Sequence, residues 1–200
     1  MQVKLAKDLE KRFDAKIDNI LQFKTNEHVN AFSFPATPVI LDKSPKLISH
    51  LNWGLIPSWA QDHNIRKLTI NARIETLNEK PAFRNSINNR CLVIANGFYE
   101  WKWLDESGKN KQKYLIALEN QELFAFGGIY SEWLDKNSGE IRKTYSIVTT
   151  DANDTMAKIH KKKRMPVILK RMDEVAWLTG QDINSFALPY EVDLQATKIE

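Results

Sequence analysis

Apolar residues recur along this chain at two different periods. Near the N-terminus Leu5, Leu9 and Phe13 fall four apart, with Lys, Asp, Glu and Arg on the positions between them. One apolar stripe at helical spacing, charged on its other faces, predicts an amphipathic helix. Beyond it the pattern changes to short apolar runs bounded by turn residues: 38–41, 68–70, 91–95, 114–118, 124–130, 145–149 and 167–169. Runs this short, rich in β-branched and aromatic residues, predict strands. Two polar loops with a single Gly, 105–109 and 135–140, predict hairpins between the runs they join. A second helix is predicted from Ala152 to about His160, capped by Thr150 or Asp151, with Ala152, Met156 and Ile159 on one face. A short helix over 172–178 completes the set. The pattern predicts an α+β fold of mostly antiparallel strands with a few peripheral helices.

Composition narrows this picture. The 200 residues, 42% hydrophobic and 27% charged, have the balance of a globular protein and enough length to build a core without cross-links. No repeat or Gly/Ser/Pro linker divides the chain, so residues 1–200 are expected to form a single domain. The lone cysteine, Cys91, excludes an internal disulfide and a multi-thiolate zinc site, and no metal or cofactor is expected. Cys91 opens an apolar run, which suits a buried inert thiol better than a nucleophile. No stretch approaches the ~20 apolar residues of a membrane span, and the charged N-terminus lacks an apolar signal core. A cytoplasmic protein without a membrane partner is the expectation. Lys plus Arg exceed Asp plus Glu by 29 to 25, a formal charge of +4. An excess that small supports nucleic-acid binding only if it is concentrated on one face.

Four stretches carry residues suited to chemistry. The first, Trp53-Gly54-Leu55-Ile56-Pro57-Ser58-Trp59-Ala60, places two indoles in a non-periodic loop. They either pack into the core or form a shelf on which a nucleobase can stack. In the second, Asn71 and Arg73 share one side of an extended segment, followed by Lys80 and Arg84. These cations form either a solvated face or a phosphate-binding stripe. The third runs from Arg90 through an Asn96-Gly97 turn to Glu100, flanked by Tyr99 and Trp101. Desolvation between two rings would favour the neutral acid; the alternative is an exposed strand glutamate paired with a lysine. The fourth contains Thr149-Thr150-Asp151-Ala152-Asn153, then His160 followed by Lys161-Lys162-Lys163-Arg164-Met165-Pro166. An imidazole among cations suits a neutral base or proton shuttle near neutral pH, and a solvated terminal His is the plainer reading.

Together, WGLIPSWA, NARIETLNEKPAFR, RCLVIANGFYEWKW and TTDAN…IHKKKRMPVIL resemble, in this order, the successive signatures of the SOS response-associated peptidase family. The resemblance implies one α+β domain around a β-barrel-like core, and a monomer that recognises abasic sites in single-stranded DNA. It further implies covalent attachment to those sites and self-cleaving maturation, the origin of "peptidase" in the family name. By the same resemblance Asn71, Glu100 and His160 match the polar trio at the reactive centre. Trp53, Trp59, Arg73, Arg84, Thr149 and Arg164 match DNA-contacting positions.

Two departures stand out. In the family the histidine usually stands closer to the Arg-Met-Pro, whereas three lysines intervene here. The family's nucleophile is a cysteine directly after the initiator Met, exposed when that Met is removed. Position 2 here is Gln2, too bulky to favour that removal. The expectation is a shortened N-terminus rather than a degenerate member, because the rest of the motif set is intact. Three functions remain open: a crosslinking abasic-site enzyme, a non-covalent single-strand DNA binder, and a peptidase acting on other proteins. Steep salt dependence of binding would mark the first two.

Overall fold

A computed structural model describes residues 6–19, 23, 28–120 and 122–200. The N-terminal stripe forms α1 (Ala6–Phe13), with Leu9 fully buried; Leu5 and Gln2 lie outside the described residues. The strands follow as β1 (Lys16–Ile17), β2 (Ala36–Leu41), β3 (Ser44–Trp53), β4 (Asn71–Arg73), β5 (Arg90–Ala95) and β6 (Phe98–Trp103). Then come β7 (Lys111–Leu118), β8 (Phe124–Leu134), β9 (Ile141–Asp151), α2 (Asp154–Ala157), β10 (Arg164–Pro166), β11 (Ile168–Leu169), α3 (Glu174–Leu178) and β12 (Leu194–Lys198).

Strands β3, β2, β5, β8 and β9 are hydrogen-bonded in that order. Strand β9 then pairs in parallel with β3, Asn52 opposite Thr144 and Trp53 opposite Tyr145, which closes a five-stranded barrel. Closure removes the open edges that a sheet of this kind would otherwise expose. A second sheet, in the order β12, β7, β6, lies beside it. The fold is α+β with a barrel core, as the strand pattern and the family resemblance implied.

The barrel wall is apolar on both faces, and β5 shows why its sequence reads as an unbroken run. Leu92 and Ile94 join Leu9, Trp177 and Phe186 in a core beneath the helices. Cys91, Val93 and Ala95 join Val39, Leu51, Phe126 and Tyr145 in the other. The neighbouring strand β8 admits this packing through two glycines. A Cβ on Gly128 would sit 2.7 Å from the Cys91 sulfur, and one on Gly127 would sit 2.9 Å from the Trp177 indole. Across the helical layer, Arg12 of α1 meets the Glu174 carboxylate of α3 with both terminal nitrogens, at 3.1 and 2.6 Å.

Both predicted hairpins form: Trp103 pairs with Lys111 across the first loop and Leu134 with Ile141 across the second. The pattern misplaced two elements. Residues 68–70 are not a strand: Asn64–Leu68 is a 3-10 turn with Leu68 at 82% exposure, and the strand starts at Asn71. Thr69 ends that turn, donating its hydroxyl to the Leu55 carbonyl at 2.6 Å and its N–H to Arg66. The second helix is only one turn long, and its cap is Asn153, whose side chain accepts the Met156 N–H at 3.0 Å. Thr150 and Asp151 cannot cap it because their backbones belong to β9, in register with Met165 and Arg164 of β10. Among the described residues no helix is long and apolar enough to cross a membrane.

Candidate functional site

Strand β4 runs parallel to β9, with Ala72 buried against it and Asn71 and Arg73 exposed on the opposite side. The period of two along a strand puts the amide and the guanidinium side by side. Glu100 comes from a different sheet. It is half-buried on β6, and its Oε1 accepts the N–H of Trp101 at 2.9 Å. His160 comes from a third segment, beyond α2, where its N–H donates to the Met156 carbonyl and its backbone bridges to Lys102 of β6.

The three lysines after His160 form a tight turn that brings Arg164 back to the histidine. Lys163 adopts a left-handed backbone (φ 50°), donates its N–H to the His160 carbonyl at 2.8 Å and accepts from the Ala152 N–H at 2.9 Å. The next N–H, that of Arg164, donates to His160 Nδ1 at 3.0 Å. With Nδ1 accepting, the ring presents Nε2 as its proton-bearing nitrogen. Both terminal nitrogens of Arg164 are engaged, while its Nε is buried without a hydrogen-bond partner. Nη1 reaches Glu75 and Asp151, each at 2.7 Å, while Nη2 reaches Glu75 at 3.0 Å and the Thr149 carbonyl at 2.8 Å. Burial opposes the charge on Arg164, but the two carboxylates outweigh it and hold the guanidinium above its ordinary pKa.

These segments enclose one cleft of about 620 Å³, lined by Asn71, Glu100 and His160 together with Arg73, Thr149, Arg164 and Trp53. Trp53 donates its indole N–H to the Ile70 carbonyl at 2.8 Å and stacks on Tyr145, the rings 6.1 Å apart and 12° from parallel. The two tryptophans of the first motif do not form one shelf. Trp59 is 53% exposed away from the cleft lining, its indole donating to the Pro81 carbonyl at 3.2 Å. Arg84 is exposed on a 3-10 turn three residues further on, and it too lies outside the lining. Cys91 is fully buried on β5, where desolvation pushes its thiol pKa well up.

Sequence reasoning passed over His28, Phe32 and Lys113, which also line the cleft. Lys113 was within reach: the hairpin around 105–109 puts it opposite Trp101, and its ammonium lies 3.9 Å from the centre of the Tyr99 ring. The other two sit on non-periodic backbone and left no signal. His28 packs on Tyr99 at 4.9 Å, and burial, then the charge of Lys113, hold its imidazole below the ordinary value.

A carboxylate, an imidazole and an amide in one cleft can exchange protons with a bound electrophile and orient it. The rings and cations around them suit bases and phosphates. The chain is 43% identical over 161 residues to the abasic site processing protein YoaM of Bacillus subtilis, covering 78% of this chain and 69% of the relative. It is 32% identical over 160 residues to the abasic site processing protein HMCES of Xenopus tropicalis, covering 68% of this chain but only 46% of that longer relative. A crystal structure of a Bacteroides thetaiotaomicron protein superposes with a TM-score of 0.89 at 37% identity, covering 100% of this chain and 90% of that one. The family description "SOS response associated peptidase (SRAP)" matches residues 2–200, and the chain belongs to that family.

Proposed function

We propose that this protein processes abasic sites in single-stranded DNA, holding the ring-opened sugar in the cleft shared by Asn71, Glu100 and His160. One observation carries the reading. Three polar side chains from three separate segments converge in a cleft bounded by aromatic rings and the cations Arg73 and Lys113. Arg73 has no ion pair among the described residues, which leaves its charge for a phosphate. Trp53 offers a ring for a base inside the cleft, while Trp59 and Arg84 extend the contact along the outside. Arg164, tied to Glu75, Asp151 and Thr149, shapes the wall beside His160 and fixes that ring's tautomer.

The lesion's open form is an aldehyde. In the family reaction an N-terminal cysteine supplies both an amine and a thiol. Its α-amine, with a pKa of about 7.7–8.0, is partly neutral near pH 7 and condenses with the aldehyde, releasing water to give an imine. The thiol then adds to the imine carbon, and its proton passes to nitrogen as the five-membered thiazolidine closes. The second step is intramolecular and correspondingly fast. Glu100 would carry protons during imine formation, His160 Nε2 would serve the sugar ring oxygen and the reversal, and Asn71 would orient the amine or sugar. Position 2 is Gln2, and the buried Cys91 cannot substitute. A form of the protein without a cysteine at its N-terminus is therefore expected to bind abasic DNA without the covalent bond.

A denaturing gel tests this. Abasic single-stranded DNA is incubated with the 200-residue chain and with a version in which a cysteine directly follows the initiator Met. A shifted band that withstands denaturation is expected only with the cysteine version, and weakened when Glu100→Gln or His160→Ala is added. No band with either protein would sink the crosslinking reading and leave a single-strand binder.

A further inference from the structure

Phe32 is the cleft residue least explained by packing. Its side chain is 70% exposed, and among the described residues its ring has no aromatic or cationic partner. Yet the backbone that presents it is firmly held. Ala31–Ser33 form a 3-10 turn whose cap, Asn30, accepts the Phe32 N–H at 3.0 Å through its side chain and the Ser33 hydroxyl at 2.7 Å through its carbonyl. The turn ends at Phe34 in a left-handed conformation (φ 51°), which a non-glycine residue adopts only at a cost. Three contacts hold it there. The Phe34 carbonyl accepts from Asn52 Nδ2 at 2.9 Å and Arg66 Nη2 at 3.2 Å, and the Arg66 guanidinium lies 4.2 Å from the centre of its ring.

A rigid turn that spends backbone strain to leave one phenyl ring uncovered is a preorganised contact surface. The ring lines the same cleft as Asn71, Glu100 and His160. An abasic nucleotide differs from an ordinary one by an empty space in the base stack. A flat apolar ring at the mouth of a site for the bare sugar matches that space in shape and chemistry. Resting on the reading of the cleft as an abasic-site pocket, we infer that Phe32 is a specificity-determining wedge: it fills the gap left by the missing base and stacks on the neighbouring base. A strand with every base in place has no gap to fill, so Phe32 favours damaged over intact DNA.

The test uses the full chain and two single-stranded oligonucleotides of the same sequence. One carries a tetrahydrofuran spacer, a stable abasic analogue that cannot react, beside a fluorescent aminopurine; the other is intact. The native chain should bind the spacer strand more tightly and quench the aminopurine. Phe32→Ala should weaken spacer binding on the order of tenfold and lose the quenching, with a smaller loss on the intact strand. Phe32→Trp should restore both, whereas Phe32→Leu, apolar but without a π-face, should not. An unchanged Tm across the series separates the effect from unfolding, as expected for a side chain this exposed. Full affinity and quenching in Phe32→Ala, or full rescue by Phe32→Leu, overturns the wedge while leaving the cleft reading intact. Failure of the native chain to bind either strand overturns both.

Discussion

Burial decides which of the candidate side chains can act. Cys91 has the right element for a nucleophile and the wrong surroundings, fully enclosed between β8 and the barrel interior. A maleimide should leave native Cys91 unmodified and label it only after denaturation, and labelling of the native protein at a comparable rate would contradict the packing. His50 shows the same physics in a titration. Its Nε2 is buried without a partner, and desolvation holds the imidazole below its ordinary value. As pH falls, an unfolded chain with an ordinary histidine near pKa 6.5 takes up the proton before the folded one does. Stability is therefore expected to be complete above about pH 6.5 and to fall as pH drops through that value. His50→Phe should flatten part of this fall in thermal scans between about pH 7 and 5. An unchanged slope would show that His50 is accommodated as a cation.

The elements that carry the site were legible where their signal is local. Asn71 and Arg73 sit two apart on a strand, Glu100 lies between two rings, and the hairpin around 105–109 follows from its turn residues. The hydrophobic pattern alone did not reveal barrel closure, which only the family resemblance implied, because Asn52 and Trp53 find Thr144 and Tyr145 in parallel register across some ninety residues of intervening chain. The cap of α2 was misread because Thr150 and Asp151, good capping residues by type, were already committed to a ladder that only the tertiary fold reveals. Phe32 was invisible for a related reason: no periodicity marks an aromatic ring held outward by a turn. Within the helical layer, one buried ion pair joins α1 to α3 beside the apolar core. Arg12 and Glu174 are only 12% and 10% exposed, and burial still pushes the Glu174 carboxyl up against the pull of Arg12. Arg12→Ala would strand that carboxylate, and a loss of about 3–5 kcal/mol in urea unfolding is expected. A loss under about 1 kcal/mol would mean that the pair is effectively solvated. Gly128→Ala should cost about 1–3 kcal/mol by forcing a Cβ into Cys91 and Val93.

At the scale of the whole molecule, a formal charge of +4 is too small to make a general nucleic-acid binder. Arg73 and Lys113 face one cleft, and the carboxylates Glu75 and Asp151 are spent on Arg164. Under the proposed function this cleft selects abasic single strands before any covalent step. The most direct measurement is the affinity of the chain starting at Met1 for abasic single-stranded, intact single-stranded and intact duplex DNA, by fluorescence anisotropy across a salt series. The abasic single strand should bind most tightly. Its affinity should fall with salt, and Arg73→Ala should lower the log–log slope by about 0.7, one phosphate on a single strand. Equal affinity for all three ligands, or a slope that Arg73→Ala leaves unchanged, would contradict it.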